Sequence, residues 1–374
     1  MTSVLLTNFH PHGGGGHVPY IQALTRLHDQ QGLRIGVATP ASSRLYQYLA
    51  AAQYPHLYAC DFPAKLQKEP RAIWAAIGRF RRTVADFKPD IVHCNGAADL
   101  FIANLSRPGL GYQLVRTHHA IRQLKPHWYH RWLYQGVTAA NIYVSQGALA
   151  LSCHNGLQPQ PVEVIENGVD LQAFQPQPAD PQLRQQWGLQ EDELCIGSCA
   201  GTGDYKRVDL MIEAAMAAKA ALPQRRFRIM VLGEPRSGKA LEQQAHARGL
   251  TEFHYLGFHQ DIRPYIALFD LGFILSDRIE TISFAAREMM AMGKPLLSSD
   301  YAGLKDNISH GVDGWLTPAG DLHAITQQLI QCLQLAPPQW QQYSQAARHK
   351  AEQRFSIQLQ LARHAQLYQR LVTP

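Results

Sequence analysis

The chain has 374 residues, of which 46% are apolar and 17% are charged. This composition excludes a disordered protein, and the length exceeds the about 250–300 residues at which a single hydrophobic core usually stops growing. The net charge of +6 is uneven, because residues 1–165 carry 15 Lys and Arg against 7 Asp and Glu. Such an excess indicates an anionic partner, and nucleic acid, an acidic membrane and a phosphorylated glycan all remain open.

The six cysteines form no C-x-x-C pair and no cluster with zinc-ligand spacing, which favours reduced thiols. The N-terminus runs directly into the apolar residues Val4–Leu6, without a basic segment and a long apolar segment. No uncharged apolar stretch reaches the about 18 residues of a membrane span. We therefore expect a soluble cytoplasmic protein. The cysteines are Cys60, Cys94, Cys153, Cys195, Cys199 and Cys332.

Strand-like apolar runs alternate with helical patterns along the first half of the chain. This alternation predicts a parallel sheet with helices on both faces. The predicted elements are strands at Val4–Thr7, Leu33–Thr39, Ile91–Cys94, Gln113–Thr117 and Asn141–Val144, and a helix near Val18–Gln30.

The same alternation begins again near residue 194, which predicts a second domain of the same architecture. A polar helical stretch follows from about Trp340 to Leu371. No short period repeats in the sequence, so a solenoid is excluded. The predicted elements of this half are strands at Leu194–Ser198, Arg228–Leu232, Phe253–Leu256, Leu271–Leu275 and Pro295–Ser298, and helices near Val208–Ala221 and Ile282–Met292.

A proline-rich segment, Asn155–Pro181, lies between the two series and contains the turn at Asn167 and Gly168. Because proline and glycine mark connections between domains, we place the boundary near residue 168. The predicted domains are residues 1–167, residues 168–355 and a C-terminal helix over residues 356–374.

Two glutamates eight residues apart, Glu280 and Glu288, follow the predicted strand Leu271–Leu275. The carboxyl edge of a doubly wound sheet is where ligands bind, and the free N–H groups of a helix start suit a phosphate. Taken alone, this pair is more typical of a solvated helix. The blocks that follow it favour a binding site.

Three such blocks lie at Ala291–Leu297, Ala302–Ile308 and Gly311–Gly314. Together with the two glutamates, they resemble the E-x7-E, EAMAxGxPV, GGxxEvI and GxxG blocks of the retaining glycosyltransferases of family 4. The departures from the family pattern are Ala302, Asp306 and the segment Thr281, Ile282 and Ser283. Within that segment, Ser283 keeps a small residue at the point where the backbone must approach an anion.

The resemblance extends upstream, where Gly197–Ala214 is similar to the family's GRL…KGxDxLIEA segment. In that segment a lysine and an arginine neutralise the diphosphate of the donor. Lys206 matches the family lysine, whereas the early arginine is missing and Arg207 stands where a glycine is usual. The planar guanidinium of Arg207 could supply the missing charge. Equally, both residues could be surface charges at a helix start.

A glycine run, Gly13–Gly16, separates the first predicted strand from the first helix. A dinucleotide site would need an acidic residue at the end of the second strand, and Leu33–Pro40 contains none. Gly15 and Gly16, with Leu24 eight residues later, instead resemble the family's GGxxxxxxxL loop, which faces the donor phosphates.

Two further segments each place a histidine at the carboxyl end of a predicted strand. Asp90–His93 resembles the family's DIVHaH, and Val115–His119 resembles its VxTxH. His119 is the preferred catalytic candidate, and His118 and His93 are candidates on the acceptor side. A single histidine is otherwise more often a structural residue.

The resemblance implies a GT-B fold, an α/β architecture of two Rossmann-like domains with the active site in the cleft between them. The first domain would bind the acceptor, the second would bind the nucleotide sugar, and the last helix would cross back onto the first domain. The implied reaction is a retaining, metal-independent transfer of a sugar from a nucleotide-diphosphate sugar, with no cofactor and no nucleic acid as partner.

Within that reaction, Glu280 would bind sugar hydroxyls and stabilise the cationic ring, with His119 as a second catalytic residue. Glu288 would hold the ribose hydroxyls, and the loops after two strands would meet the base. The donor-binding residues implied are Gly15, Gly16, Lys206, Arg207, Gly233, His259, Ser283, Phe284 and Glu288.

The implied acceptor is a glycan or a lipid-linked molecule in cell-surface polysaccharide or lipopolysaccharide biosynthesis. A GT-B nucleotide-sugar epimerase and a non-catalytic sugar-nucleotide-binding subunit remain alternatives. Two segments that mix basic and aromatic residues, Arg71–Arg82 and Arg122–Tyr134, predict docking on an anionic membrane. In the first, Trp74, Ile77 and Arg81 would share one stripe of a helix. The alternative is that the aromatic residues pack into the first domain.

Overall fold

The computed structural model describes residues 1–13, 15–63, 69–154 and 156–373. Two compact units make up the chain. The first unit is Met1–Asn167 with Ile357–Pro374, and the second is Gly168–Ser356.

The first unit is built on a seven-stranded parallel sheet with the strand order β3-β2-β1-β4-β5-β6-β7. The chain reverses its direction of winding between β1 and β4, and ligands bind outside the carboxyl ends of strands at such a point. The strands are β1 (Thr2–Thr7), β2 (Leu33–Thr39), β3 (Leu57–Ala59), β4 (Ile91–Cys94), β5 (Gln113–His118), β6 (Thr138–Tyr143) and β7 (Val162–Val164).

Helices cover both faces of this sheet, and each face has its own apolar core. Side chains of a strand alternate between faces, so Val4 and Leu6 enter one core whereas Leu5 enters the other. The helices are α1 (His17–Thr25), α2 (Arg44–Ala51), α3 (Pro70–Phe87), α4 (Ala97–Ser106), α5 (Trp128–Arg131), a π-helix (Trp132–Val137), α6 (Gln146–Cys153) and the C-terminal α15 (Ile357–Val372).

The second unit has a six-stranded parallel sheet with the order β10-β9-β8-β11-β12-β13. Its winding reverses between β8 and β11, as that of the first unit does between β1 and β4. The strands are β8 (Leu194–Ser198), β9 (Phe227–Leu232), β10 (Phe253–Gly257), β11 (Leu271–Ile274), β12 (Leu296–Ser299) and β13 (Gly314–Thr317).

Two apolar cores again lie on the two faces of the sheet. Together the units confirm the predicted α/β class with two Rossmann-like domains. The helices of the second unit are α7 (Pro181–Gln186), a 3-10 turn (Asp204–Lys206), α8 (Val208–Ala221), α9 (Pro235–Ala247), α10 (Arg263–Leu268), α11 (Phe284–Ala291), α12 (Leu304–Asn307), α13 (Leu322–Leu333) and α14 (Pro337–Arg354).

Two predicted helices differ from the structure. The helix expected to reach Gln30 ends at Thr25, because Asp29 and Gln31 adopt left-handed φ values of 58° and 51° and turn the chain into β2. The stretch expected from Trp340 to Leu371 is two helices, α14 and α15. Between them, Phe355 O accepts a hydrogen bond from Val169 N at 2.7 Å, so a distant segment takes the carbonyl that a continuous helix would use.

Candidate active site

The carboxyl ends of β8 and β11 place the predicted donor-binding residues of the second unit at one edge of the sheet. The loop after β8 carries Lys206 and Arg207 into the start of α8. The loop after β11 carries Glu280 and Ser283 into the start of α11. Because β8 and β11 are hydrogen-bonded neighbours, residues 74 apart in sequence become adjacent.

Lys206 and Glu280 form an ion pair in which Nζ donates to Oε2 of the carboxylate. Their side chains are only 10% and 12% exposed. Ser276 Oγ donates a second hydrogen bond to the same oxygen at 3.0 Å. The lysine expected at the diphosphate and the glutamate expected at the sugar therefore lie in direct contact, which sequence reasoning had not foreseen.

Arg207 is also held by carboxylates. Its guanidinium donates to Asp277 Oδ2 at 2.7 Å and to Asp209 at 3.0–3.3 Å. The hydrogen bonds to Asp209 and Asp277 raise the pKa of Arg207, so its charge is permanent. Asp277 lies in the same loop as Glu280, so this loop is tied to both cations of the opposite loop.

The loop between β11 and α11 contains strained backbone. Ile279 has a φ of 65° and is 73% exposed, and a β-branched residue rarely adopts this conformation. Ser283 has a φ of 55° and its Oγ accepts a hydrogen bond from Ala286 N at 3.4 Å, which caps α11 at Phe284. Strain of this kind persists where the surroundings hold it, and it concentrates at binding sites.

Glu288 lies on α11, about one turn beyond the first helical residue Phe284 and eight residues after Glu280 in sequence, and it is half-buried. Burial raises the pKa of its carboxyl to about 7. Its neighbour Arg287 is fully buried, donates to Asn307 Oδ1 at 2.9 Å and lies over the Phe355 ring. Arg287 therefore stabilises the interior of the domain, and of the two side chains only Glu288 is partly exposed and able to contact a ligand.

The residues expected near the base lie after β9 and β10. Gly233 packs closely against the neighbouring loop, since a Cβ at this position would come within 2.7 Å of Thr202 Oγ1. His259 stacks on Tyr265 at 4.1 Å, and its nitrogens lie 2.7 Å from Leu256 O and 3.1 Å from Tyr265 Oη. His259 is thereby fixed by its own domain, and it offers a ring face more readily than a free nitrogen.

A cavity of about 400 Å³ adjoins Arg207 in this unit. Thr202 Oγ1 and Ser237 Oγ lie 2.7 Å apart on its wall. Sequence reasoning missed both hydroxyls, because a single Ser or Thr in a loop carries no recognisable pattern. The residues lining the cavity are Thr202, Gly203, Asp204, Arg207, Val208, Asp209, Ser237, Ala240, Leu241, Gln244 and Arg278.

In the first unit, His119 follows the carboxyl end of β5. Its Nε2 lies 2.9 Å from Asn95 Oδ1, and its ring lies 4.1 Å from the ring of His17 and 4.6 Å from that of Tyr20. Burial, and then the nearby charges of His17 and Arg116, hold the pKa of His119 well below its usual value. The imidazole is therefore neutral at neutral pH and can donate or accept a hydrogen bond.

His93 lies inside the first unit. Its Nδ1 is 2.6 Å from Tyr368 Oη, its Nε2 is 2.6 Å from Thr117 Oγ1, and the residue has no exposed surface. Tyr20 Oη continues this network from Thr117 to His364 Nε2 at 2.7 Å. In this position His93 cannot contact an acceptor; it joins β4 to α15.

His118 is also buried, but it lies on the opposite face of β5. Its ring stacks on Tyr143 at 4.4 Å, and its Nε2 lies 3.3 Å from Asn141 Oδ1. Burial lowers the pKa of His118 to about 3. His118 and His119 still line one cavity at the end of β5.

The glycine loop precedes α1. Gly14 lies outside the described residues. Gly15 has a φ of 48° and Gly16 is the N-cap of α1, and both are exposed. A Cβ at Gly15 would meet no atom within 4 Å, so only the backbone conformation requires glycine there.

One group in the described part of the chain has the composition of a metal site. Glu242 and His246 lie one turn apart on α9, His254 lies on β10, and their ligand atoms are within 4.8 Å of one another. Sequence reasoning missed this group, whose only local signal is the i, i+4 spacing. Each side chain already has a protein partner: Tyr255 N, Phe253 O and Arg228 Nη1, respectively.

Comparison with known proteins identifies the family. Residues 14–173 match the family described as Glycosyltransferase Family 4, and residues 192–335 match Glycosyl transferases group 1. The chain belongs to the family 4, or group 1, glycosyltransferases. No helix in the described part of this glycosyltransferase is long and apolar enough to cross a membrane.

Curated relatives share about a quarter to a third of the aligned residues with this chain. D-inositol 3-phosphate glycosyltransferase of Kribbella flavida is 27% identical over 343 residues, which cover 81% of this chain and 79% of that protein. The amylovoran biosynthesis glycosyltransferase AmsK of Erwinia amylovora is 34% identical over 97 residues, which cover 25% of this chain and 23% of that protein.

Solved structures share the fold at low sequence identity. A glycosyltransferase from Rickettsia africae is 17% identical with a TM-score of 0.86, over 100% of this chain and 99% of that one. Anabaena Alr3699/HepE, in complex with UDP-glucose, is 20% identical with a TM-score of 0.77, over 99% of this chain and 100% of that one. The two parallel-sheet domains thus have the GT-B fold.

Proposed function

We propose that this glycosyltransferase moves a sugar, with retention of configuration and without a metal ion, from a nucleotide-diphosphate sugar to a glycan or lipid-linked acceptor. The observation that carries the proposal is the Lys206–Glu280 pair beside Arg207 at the carboxyl edge of the second sheet. Two cations beside a helix start suit a diphosphate, and an adjacent carboxylate suits a sugar that develops positive charge.

In the proposed reaction, Lys206, Arg207 and the start of α11 at Ser283 and Phe284 neutralise the diphosphate. Glu280 binds the sugar hydroxyls and stabilises the oxocarbenium-like ring as its bond to phosphate breaks. These roles need the cations to leave their carboxylate partners when the donor arrives. The contact between Lys206 and Glu280 supports this arrangement, because the diphosphate and the sugar of a donor are themselves adjacent.

The remaining donor contacts are assigned to the ribose and the base. Glu288 accepts hydrogen bonds from the ribose hydroxyls in its ionised form, and the loops at Gly233 and His259 meet the base. Gly15 and Gly16 face the phosphates from the first domain in this proposal. His119, neutral and beside Asn95, acts at the reacting centre as a hydrogen-bonding group.

The choice of donor to test first follows from the relatives. Anabaena Alr3699/HepE is solved with UDP-glucose, so UDP-glucose is the first donor to test. AmsK acts in amylovoran biosynthesis, which supports a role in cell-surface polysaccharide or lipopolysaccharide biosynthesis. A melting-temperature screen with UDP, GDP, ADP and CMP tests the nucleotide, because only a ligand that binds the folded protein raises the melting temperature.

Incubation with radiolabelled sugar nucleotides separates the proposed transferase from its two alternatives. A transferase releases nucleoside diphosphate faster when acceptor is present, and NMR of the product shows the retained anomeric configuration. An epimerase would convert the donor to a second sugar nucleotide without acceptor. A binding subunit would raise its melting temperature with donor but show neither reaction. Activity that is abolished by EDTA and restored by manganese would contradict the metal-free proposal.

We further propose that the first domain docks on an anionic membrane. Trp74 is 71% exposed, Trp128 is 78% exposed and Trp132 is 48% exposed, so these tryptophans do not pack into the core. Helix α3 and the segment with α5 and the π-helix pack on the same apolar core of the first sheet. Exposed tryptophans beside basic residues are typical of a surface that lies in the headgroup region of a bilayer.

The predicted stripe on α3 needs a correction. Arg81 Nη1 donates to Ser106 O at 2.7 Å and to Pro108 O at 2.8 Å, so this guanidinium serves the fold. Ile77 is half-buried against the core. The exposed candidates on α3 are therefore Arg71, Trp74, Arg79 and Arg82.

Sedimentation with vesicles of phosphatidylglycerol and phosphatidylcholine tests the membrane proposal. Each basic residue near an anionic surface contributes about 1 kcal/mol, screened by salt. The triple variant Arg71→Glu, Trp74→Ala, Arg82→Glu should lose sedimentation at moderate salt and keep its hydrolysis of donor. Arg236→Glu, an exposed charge reversal in the second domain, is the control. Wild-type protein that fails to sediment even at low ionic strength would favour a water-soluble acceptor.

A further inference from the structure

The carboxyl ends of β1, β4 and β5 surround a cavity of about 490 Å³ within the first domain. This is the ligand-binding edge of a doubly wound sheet. The lining residues are Phe9, His10, His17, Asn95, Gly96, Ala97, Ala98, Arg116, His118, His119, Ala120, Arg122, Leu124, His130 and Tyr134.

The charged side chains of this cavity are all basic. Arg116 and Arg122 line it, and no Asp or Glu does. The sequence itself contains no Asp or Glu between Asp99 and Glu163. Asp99 is fully buried nearby and accepts hydrogen bonds from Thr7 Oγ1 at 2.6 Å and from Asn95 N at 2.8 Å, so this carboxylate is engaged by β1 and β4.

The histidines of the cavity add hydrogen-bonding capacity without a compensating charge. Burial, with a smaller contribution from nearby charges that include Arg116, lowers the pKa of His17 and that of His118 to about 3. Neutral imidazoles can donate hydrogen bonds to an anion. The permanent charge of the cavity thus comes from its two arginines.

The guanidinium of Arg116 is buried and incompletely hydrogen-bonded. The residue is 9% exposed, and its Nε has no hydrogen-bond partner. Its Nη1 donates to Cys94 O at 3.5 Å, at the outer limit of a hydrogen bond. Among the described residues, no carboxylate forms an ion pair with it, although the buried carboxylate of Asp99 interacts electrostatically with its charge. Buried polar groups are nearly always hydrogen-bonded, and the planar guanidinium can donate two parallel hydrogen bonds to two oxygens of a phosphate or carboxylate.

We infer that this cavity holds an anionic group, a phosphate or a carboxylate, that the acceptor carries. The assignment to the acceptor rests on the proposed function. The anion site itself rests on the cavity and on Arg116, and it stands independently of any sugar transfer.

Titration with inorganic phosphate tests the anion site. The Lys206→Ala variant is the parent, because it weakens phosphate binding at the proposed diphosphate site of the other domain. This parent should bind phosphate, and adding Arg116→Gln should weaken binding by about 10-fold or more, the scale of a lost charge-assisted hydrogen bond. Arg131→Gln changes an exposed neighbour outside the cavity and should leave binding unaltered. Acetate in place of phosphate distinguishes a carboxylate from a phosphate as the preferred group.

Arg122→Gln keeps the test decisive if Arg116→Gln does not fold. Arg122 is exposed at the cavity mouth, so its replacement leaves the core intact, and it should weaken phosphate binding several-fold. Phosphate binding that neither arginine variant changes, or a parent that binds no phosphate at tens of millimolar, would overturn the anion site.

The acceptor assignment has its own measurement. Once a transfer reaction is detected, Arg116→Lys should raise the KM for an acceptor that bears phosphate or carboxylate and leave the KM for donor unchanged. Equal KM values for charged and uncharged acceptors would overturn the acceptor assignment while the phosphate titration still reports the anion site. Absence of all transfer would contradict the proposed function and leave the phosphate result as it stands.

Discussion

The sharpest test of the proposed reaction is the substitution Glu280→Gln. The amide keeps the size of the side chain and can still accept hydrogen bonds from Lys206 and from Ser276, which lies 3.0 Å away, so the loop should keep its conformation. What is lost is the negative charge at the sugar. Deleting one preorganised electrostatic partner usually costs about 2.7–4 kcal/mol of transition-state stabilisation, or roughly 100-fold to 1,000-fold in kcat.

The same substitution should affect donor binding in the opposite direction. In the wild-type protein the carboxylate of Glu280 competes with the diphosphate for Lys206, and the amide competes less. We therefore expect kcat to fall by at least about 100-fold while UDP affinity, measured by calorimetry, stays equal or increases. Glu213→Gln, which removes a surface carboxylate paired with Arg248 in the same domain, is the control and should change neither quantity. Turnover within a few-fold of wild type in a folded Glu280→Gln protein, or a parallel loss of UDP affinity, would refute the assignment.

Four further predictions concern the second domain and α3. Lys206→Ala should weaken UDP binding by about 10-fold to 100-fold in calorimetry and leave uridine binding unchanged, because only the phosphates lose a charged partner. Equal losses of UDP and uridine affinity would show that the lysine has a structural role. Since the pKa of Glu288 is raised to about 7, donor affinity should rise between about pH 6 and 8, and Glu288→Gln should flatten this profile. Gly197→Ala would place a Cβ 2.2 Å from the Phe269 ring and should destabilise the domain by about 1–3 kcal/mol in urea unfolding. Gly78→Ala, with no atom within 4 Å of the new Cβ on α3, should instead stabilise by about 0.5–1 kcal/mol in the same assay.

Elements with a strong local pattern could be predicted from the sequence to the residue. The strands Leu33–Thr39, Ile91–Cys94 and Leu194–Ser198 and the helix Val208–Ala221 have the predicted bounds. Each strand is a short apolar run of the kind that a doubly covered parallel sheet requires. Local pattern therefore sufficed where burial on both faces determined the residue types.

Long-range contacts set the features that could not be predicted. The end of α14 at Arg354 depends on the hydrogen bond between Val169 and Phe355, which joins segments far apart in sequence. Likewise, the resemblance to the family motifs predicts Lys206 and Glu280 at one edge of the sheet, but their ion pair depends on the side-chain geometry of two loops. A sequence pattern contains residue types and spacing, and it does not contain these geometries.

The histidine candidates illustrate the same limit. His93, His118 and His119 all follow the pattern of a residue at a strand end, yet His93 joins the buried network with Tyr368 whereas His119 lines a cavity. Alternation along a strand decides which face a side chain enters, and the apolar residues around it do not reveal which face carries a binding site.

The two proposed binding sites differ in how their cations are compensated. Lys206 and Arg207 are paired with carboxylates, so a diphosphate must displace Glu280 and Asp277 from them. That exchange makes the net binding free energy of each phosphate contact less favourable. It also frees Glu280 to contact the sugar when the donor binds. Arg116, by contrast, forms no ion pair among the described residues, so an anion in its cavity has no bound carboxylate to displace, and the nearby buried Asp99 offsets only part of its charge. In the proposed reaction the donor must therefore displace carboxylates from the cations of its site, whereas an anion can bind Arg116 in the first domain without displacing an ion-pair partner.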